Sequence, residues 1–414
     1  MVTGTESEPL ASLPTARRIG SDAEAIAVAE SLAPAFAAGA GDRDAVRVHP
    51  HAEVAALSLS GLLAITVPAE HGGADVSPAA LARVVAIIAA ADPSLAQIPQ
   101  SHFTFLEALR RAGSAELADR VYPRVLAGAR LANAQTERSG KTVTDDSTTV
   151  RESDRGFLLS GVKYYCTGAL HADILAVRAV VAGPGDRGLS RKVIAYVPAD
   201  APGITIVDDW EGFGQRTTGS GTVSFDRVAV RAEQVLDFTA LLAEPGTYGA
   251  RAQLVHAAID TGIARGALDA IRTAVAGARP WFEADVEQAA DDPYLIAQAG
   301  DLELTVRAAE SLLLTAAERI TAADDADDDG RRERIAEASL ATAAAKVAAG
   351  RAARRAGAEL FDFGGTRSAS EKANLSRYWR DARTHTLHDP ERWKLHHLGR
   401  WALRRDIPPT HTSL

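Results

Sequence analysis

The sequence predicts an α+β chain in three parts. A helical domain covers residues 16–129, a central β domain covers 130–236, and a helical bundle covers 237–414. Three observations predict it. Apolar residues recur at helical spacing up to about residue 130, at strand spacing to about residue 230, and at helical spacing again afterwards. No strand–helix–strand alternation runs through the chain, so a parallel sheet wrapped by helices is not expected. The last part holds three long Ala-rich amphipathic stretches, the pattern of an antiparallel bundle.

Residues 1–15 are mixed in character and read as disordered. Helices are expected at Ala23–Phe36, Pro78–Ala91, Phe103–Ala112 and Ala115–Leu126. Ser77 is the expected N-cap of the second, with Pro78 at its first position and Asp92-Pro93 closing it. Strands follow at Phe157–Tyr165, Ile174–Val181, Val193–Pro198, Ile204–Trp210 and Thr222–Val230, separated by turn pairs such as Ser153-Asp154 and Ala201-Pro202. They suggest a small barrel or sandwich. The bundle helices are Val255–Val275, Ile296–Ala323 and Glu333–Phe361, and the acidic run DDADDDGRRER at 324–334 reads as a solvated loop.

With 414 residues the chain is too long for one small core. Its net charge of −9 gives no basic footprint for nucleic acid or an anionic membrane surface. No apolar run reaches bilayer-spanning length and the N-terminus lacks a signal core, so a cytoplasmic protein is expected. Cys166 and Met1 are the single cysteine and methionine, which excludes an intrachain disulfide and a thiolate metal cluster. Low sulfur is read first as genomic composition, since the chain is also rich in Ala, Arg and Asp; the sharper reading is a protein made when sulfur is scarce or one that handles an oxidant. Neither G-x-G-x-x-G nor G-x-x-x-x-G-K-[ST] occurs, so neither nucleotide fingerprint is indicated.

Several segments carry chemistry. LANAQTERSG (131–140) offers Asn133, Gln135 and Thr136 as hydrogen-bonding groups for a heterocycle edge. GVKYYCTGALHADI (161–174) places Thr167 just beyond an apolar strand, with Cys166 read as a small buried residue. VDDWEGFGQRTTGSGTVSFDRVAV (207–230) contains Trp210, a stacking wall or a core aromatic. ARPWFEADVEQAADDPYL (278–295) and FGGTRSAS contribute Arg279 and Arg367, whose guanidinium forks suit a phosphate. QSHFTFL holds His102 beside Phe103 and Phe105: a pocket histidine with aromatic walls, or a structural histidine.

Four of the 11 histidines fall in RTHTLHDPERWKLHHLGR, 383–400. Metal is one reading. His385 and His388 stand three apart, but no H-E-x-x-H or paired Cys accompanies them. His396 and His397 are adjacent on a helix and point about 100° apart, so they suit a helix face better than one ion. The other reading splits the segment at Asp389-Pro390: Asp389 caps the next helix, Pro390 takes its first position, and His388 is the chemical group.

These motifs, in the order helices, β domain, bundle, resemble the acyl-CoA dehydrogenase family. Within it, R-P-W at 279–281 and R-T-H-T-L-H-D-P at 383–390 resemble the dibenzothiophene monooxygenase and sulfur-acquisition branch. The resemblance covers nearly the whole chain after residue 20. It implies flavin between the β domain and the bundle, with Thr167 (hydroxyl and backbone N–H) facing the flavin N5 side. Asn133, Gln135, Thr136 and Trp210 would line the ring, and Arg279 and Arg367 would hold the phosphate. His388 falls where the dehydrogenases keep a Tyr and Asp389 where they keep the catalytic Glu. The branch implies reduced FMN from a separate NAD(P)H-dependent flavin reductase, oxygen, and a flavin C4a-hydroperoxide. One oxygen atom then passes to a small organosulfur compound, with His388 as acid/base and His102 as second candidate. A homotetramer is implied. The alternatives are an FAD-dependent acyl-CoA dehydrogenase with Asp389 as base, an N-oxygenase of the same fold, and a helical scaffold without flavin.

Overall fold

The computed structural model describes residues 16–142, 145–154, 156–182, 191–327 and 329–414; the disorder expected for 1–15 lies outside them. The first part is helical: α1 (Asp22–Val46), α2 (His51–Leu59), α3 (Pro78–Ala91), α4 (Pro93–Gln97), α5 (Gln100–Ala112) and α6 (Ala115–Leu126). Ser77 caps α3 by accepting from the Ala80 N–H, with Pro78 in the first turn, as its sequence predicts. Asp92 ends α3 and starts α4 in one residue: its Oδ1 accepts from the N–H groups of Ser94 and Leu95.

Helix α1 runs ten residues beyond the expected end at Phe36, carried by the Ala-rich turn and by Arg43, which is buried and pairs with Glu53 and Asp92, both at 2.7 Å. This corrects the expectation that no stretch reaches membrane-spanning length: by length and composition alone α1 passes that test. Its Ala25, Val28, Ala29 and Phe36 are buried in the helical core against α3.

One eight-stranded mixed sheet follows: β1 (Leu131–Ala134), β2 (Thr149–Ser153), β3 (Gly156–Cys166), β4 (Ile174–Ala182), β5 (Lys192–Pro198), β6 (Ile204–Val207), β7 (Gly221–Val230) and β8 (Val235–Asp237). The hydrogen-bonded order is β6-β7-β3-β2-β4-β5-β8, with β1 parallel to β4. The strand expected to reach Trp210 stops at Val207. Beyond it Asp208 turns to Arg47 and His49, and Asp209 accepts from the Thr222 N–H and hydroxyl, which draws the chain out of the sheet.

The remaining elements are α7 (Phe238–Ala243), α8 (Tyr248–Ala276), α9 (Pro293–Asp324), α10 (Arg331–Gly364), α11 (Ser376–His385) and α12 (Glu391–Arg404). Helix α8 is buried on almost every side from Ala252 to Leu268, as expected of the central helix of a bundle. It crosses α3 at Gly262 and Gly266. A Cβ there would stand 2.3 Å from the Ala86 carbonyl oxygen and 2.5 Å from that of Ala90, so only glycine permits the approach. Helices α8 and α10 run in the same direction, because Asp260 pairs with Lys346 near their middles and Gly277 meets Arg367 beyond their C-terminal ends. The last residues fold back: Lys394 donates to the Ser413 carbonyl at 2.7 Å, Gln253 donates to that of Thr412 at 2.9 Å, and Leu414 is buried.

Asp389-Pro390 begins α12 differently from expectation. Pro390 is the N-cap, no side chain caps the helix, and Glu391 is its first residue. The Asp389 carboxylate instead accepts from Gln253 Nε2 at 2.9 Å, a partner on α8 that local sequence could not reveal.

Candidate functional site

Residues 93–101 are the hub of the site, and four elements converge on them. Gln97, buried at the end of α4, reaches His388 with 3.3 Å between the two Nε2 atoms. Ser101 Oγ accepts from Asn133 Nδ2 of β1 at 2.8 Å. The Pro93 carbonyl accepts from Gln215 Nε2 at 3.3 Å. The Ile98 carbonyl lies against Gly168, whose φ of +77° and 3.1 Å clearance leave no comfortable place for a Cβ beside Thr167. His388, Thr167, Asn133 and the Gln215 turn are thus tied to one short segment.

His388 follows α11 and remains solvent-accessible, while its neighbours His256 and His385 are buried. The three rings lie 4.9–5.2 Å apart, centroid to centroid. Hydrogen bonding sets their tautomers. His388 Nδ1 is 2.8 Å from the His385 carbonyl oxygen, which only accepts, so Nδ1 carries the proton. In the neutral ring Nε2 is then a lone pair, free to accept from Gln97 Nε2–H. Desolvation lowers the His388 pKa, so the neutral form is favoured. The neutral ring therefore offers an acceptor at Nε2, and donation there requires a second proton.

Behind it lies a buried polar string. Lys346 Nζ and His385 Nδ1 each stand 2.5 Å from an oxygen of Asp260, and His256 Nδ1 is 3.1 Å from His385 Nε2. Burial would raise the Asp260 pKa, but Lys346 and His385 pull it down to about 2. Burial lowers His385 to about 4 despite that carboxylate, and lowers His256 well below the ordinary imidazole value. The ground state is an ammonium–carboxylate pair with three neutral imidazoles. Ring nitrogens of His256, His385 and His388 lie within 4.8 Å of one another, a spacing an ion could use. As arranged, His385 and His388 commit both ring nitrogens to protein groups and His256 commits its Nδ1, which makes a directional hydrogen-bonded string.

Thr167 is buried, and its hydroxyl is 2.8 Å from Ser220 Oγ, which is 2.7 Å from Thr218 Oγ1. Its backbone N–H donates to the Tyr165 carbonyl, which corrects the expectation that this N–H faces the flavin; Tyr165, at φ +57°, closes that tight turn. Trp210 is half-buried, its Nε1–H donates to the Gln215 carbonyl at 2.9 Å, and its ring meets Tyr165 edge-on. Gln215 N–H donates to Asp381 at 2.6 Å, pinning this turn to α11. Gln135 and Thr136 continue from β1, and their carbonyls accept from Lys163 Nζ and the Tyr164 N–H. Lys163, with Glu137 and Asp146, is a buried ion cluster that fixes this strand end.

Two expectations are corrected. His102 is buried, with Nε2–H donating to the Leu63 carbonyl at 2.7 Å and Nδ1 accepting from the Leu131 N–H at 3.0 Å. Both nitrogens serve the backbone and burial lowers its pKa to about 4, so it pins α5 to β1 rather than moving protons. Phe103 and Phe105 are not pocket walls: Phe103 packs in the helical core, and Phe105 is fully buried between α5, α6 and the sheet. His396 and His397 lie on α12 beside Trp393, as helix-face residues.

Arg279 is exposed and pairs with no carboxylate among the described residues; Arg367 is exposed and donates to the Gly277 carbonyl. The structure brings these two arginines to one corner, but not to His388. From His256 to Gly277, α8 and its cap rise about 30 Å. Sequence reasoning missed Gln97, His256, Asp260, Lys346 and Ser220. One signal was present: His256 and Asp260 stand four apart, on one face of the largely apolar, buried stretch 254–264.

Known proteins match along the chain. Acyl-CoA dehydrogenase N-terminal, middle and C-terminal domains match residues 23–129, 132–228 and 254–390. A dibenzothiophene monooxygenase of Rhodococcus qingshengii is 32% identical over 96% of this chain and 97% of its own. A probable FMNH2-dependent monooxygenase, SfnC, of Pseudomonas putida is 32% identical over 93% and 96%. The crystal structure of FMN-bound TdsC from Paenibacillus sp. A11-2 superposes with a TM-score of 0.88 at 31% identity, covering 94% of this chain and all of that one.

Proposed function

Because the chain belongs to the acyl-CoA dehydrogenase family, in its flavin-dependent monooxygenase branch, we propose that it transfers one atom of molecular oxygen to a small organosulfur compound for sulfur acquisition. It is a flavin monooxygenase of sulfur metabolism, and reduced FMN is its cofactor. The observation that carries the finer reading is His388: an accessible neutral imidazole whose Nε2 lone pair faces away from the buried string.

The donor set suits FMN. Thr167, with Ser220 behind it, and Asn133, Gln135 and Thr136 offer polar contacts for the ring edge, and Trp210 beside Tyr165 gives an aromatic wall. Arg279 and Arg367 offer guanidinium forks to the phosphate. Reduced FMN supplies the two electrons that let dioxygen divide, one atom going to the substrate and the other to water. His388 Nε2 takes up and returns the proton that accompanies this transfer. Gln97 holds the imidazole in place, and Asp260 and His385 hold the backbone carbonyl that fixes its tautomer. Asp389, which a dehydrogenase would need as a free base, is tied to Gln253.

An FMN molecule is far shorter than the separation of Arg279 from the histidines along one chain. Two copies therefore share each site in this proposal, the arginines of one meeting the histidines of the other, within a homotetramer. A groove of about 520 Å³ along α9, α10 and α12, lined by Leu304, Ala308, Val347 and Leu398, supplies apolar surface for that assembly. A separate NAD(P)H-dependent reductase in the cytoplasm supplies the reduced flavin.

The test is oxygen uptake with reduced FMN across sulfides, sulfones, thiophenes and acyl-CoAs, with product analysis. An oxygenated organosulfur product is expected. Anaerobic flavin reduction by an acyl-CoA, with no oxygenated sulfur product, would overturn the proposal.

A further inference from the structure

A second group of histidines lies apart from the string behind His388. His49 and His51 flank Pro50, the N-cap of α2, and His171 ends the short 3-10 turn Ala169–His171 that follows Thr167. Their ring centroids are 4.8 Å apart for His51 and His171, and 6.0 Å for the other two pairs. Residues more than a hundred positions apart thus place three imidazoles face to edge at the junction of helices and sheet.

The nitrogens are unevenly used. His49 Nε2 is 2.8 Å from Asp208 Oδ2, an acceptor, so the proton sits on Nε2 and Nδ1 carries the lone pair. That Nδ1 is buried without a hydrogen-bond partner. His171 is 5% exposed, and its Nε2 is likewise buried without a partner. His51 is on the open side, and its ring makes no hydrogen bond among the described residues. Orphaned polar atoms inside a protein are uncommon and costly. Two in one three-histidine group point to a missing partner, and the His49 Nδ1 lone pair requires one that accepts electrons.

We infer that His49, His51 and His171 form a binding site for a divalent transition-metal ion, of the zinc, cobalt or nickel kind. All three donors are imidazole nitrogens, the ligand type these ions prefer. Asp208 on the far nitrogen of His49 is the carboxylate support common behind a metal-bound histidine. The nearby cations do not oppose it, since Arg47 is paired with Asp208 at 2.5 Å and Arg130 with Asp173 at 3.0 Å. The ring spacing already suits one ion, and metal–nitrogen bonds near 2.0–2.1 Å require the three rings to turn their free nitrogens to a common point, which exposed His51 can do most readily. The bound ion clamps the start of α2 to the turn that follows Thr167.

The test uses untagged full-length protein stripped with chelator and titrated with Co²⁺ and Zn²⁺. One equivalent per chain is expected, with a visible cobalt band of low-coordinate type. The unfolding temperature should rise by about 3 °C at an ion concentration near one hundred times Kd. His51→Ala, at an exposed position that tolerates truncation, should weaken the affinity at least tenfold without changing the apo unfolding temperature. His49→Ala should weaken it similarly, and His388→Ala should leave it unchanged. Absence of saturable binding below millimolar ion overturns the inference. So does affinity that survives His51→Ala or depends on His388.

Discussion

Replacing Asp260 by Asn tests whether the buried string behind His388 is an energetic unit. Asp260 and His385 side chains are 0% exposed and that of Lys346 is 6%. The substitution keeps the shape but leaves the Lys346 ammonium buried without its anion. Removing one member of such a pair costs about 3–5 kcal/mol. For a chain of 414 residues the unfolding entropy is about 0.9 kcal/mol/K, so the unfolding temperature should fall by about 3–6 °C. Lys346 and His385 hold the Asp260 carboxyl at about 2 in the folded state, below its ordinary value of 3.8. Its contribution is therefore full above about pH 4 and lost as pH falls through about 2. Replacing both charges, Asp260→Leu with Lys346→Met, removes the unpaired ion and leaves only the His385 Nδ1–H without an acceptor, a cost of about 1–3 kcal/mol. Urea melts at pH 7 measure all three proteins. A single variant costing under about 1 kcal/mol, or a double variant as costly as the single, would refute the reasoning. Product formed per oxygen consumed then separates stability from function. If the string only stabilises, the double variant keeps wild-type yield; if it also sets the His388 tautomer through His385, the yield falls in both variants.

Three other perturbations follow from the site. His388→Ala should leave FMN binding within about twofold while product per oxygen falls and hydrogen peroxide rises, since an acid/base group contributes about 10²–10⁴-fold; an unchanged yield would sink its catalytic role. Arg279→Glu should weaken FMN binding by about 10–100-fold, the worth of a charge-assisted phosphate contact of about 1.5–3 kcal/mol. An unchanged FMN dissociation constant would count against it. Burial lowers the His102 pKa to about 4 from its ordinary value of 6.5, so the native state binds fewer protons and stability drops as pH falls from 6.5 toward 4. The loss from this residue is about 3 kcal/mol. His102→Gln should be less stable at pH 7 but show a flatter decline between pH 6.5 and 4.5, and melts with parallel slopes would contradict the assignment.

The parts that were legible in the sequence are those decided locally. Helix α3 starts where Ser77 and Pro78 place it, because a cap is a contact over three residues. The three long bundle helices follow from apolar periodicity over many turns. The short strands β1, β2 and β8 span four, five and three residues, too few for a period of two to declare itself. Asp389 is a good capping residue by type, yet Gln253 on α8 takes its carboxylate. His102 beside two phenylalanines has the composition of a pocket. What assigns it a structural role is the pair of backbone groups at Leu63 and Leu131, and nothing within a few residues announces either.

The same contrast explains why His388, rather than another histidine, is the chemical group of the proposal. His102, His256 and His385 are all enclosed by protein, with partners that come from distant parts of the chain. His388 alone combines a nitrogen fixed by backbone, a second nitrogen whose partner is a movable side-chain amide, and access to solvent. A group that is immobile on one side and replaceable on the other can exchange Gln97 for a reacting oxygen without disturbing the core. The segment that positions Gln97 also holds Asn133 through Ser101 and packs its Ile98 carbonyl on the turn of Thr167. Moving residues 93–101 by a fraction of an ångström would therefore misalign the polar ring contacts and the acid/base group together. Such coupled placement requires a rigid hub, and the double cap of Asp92, held by buried Arg43, provides it.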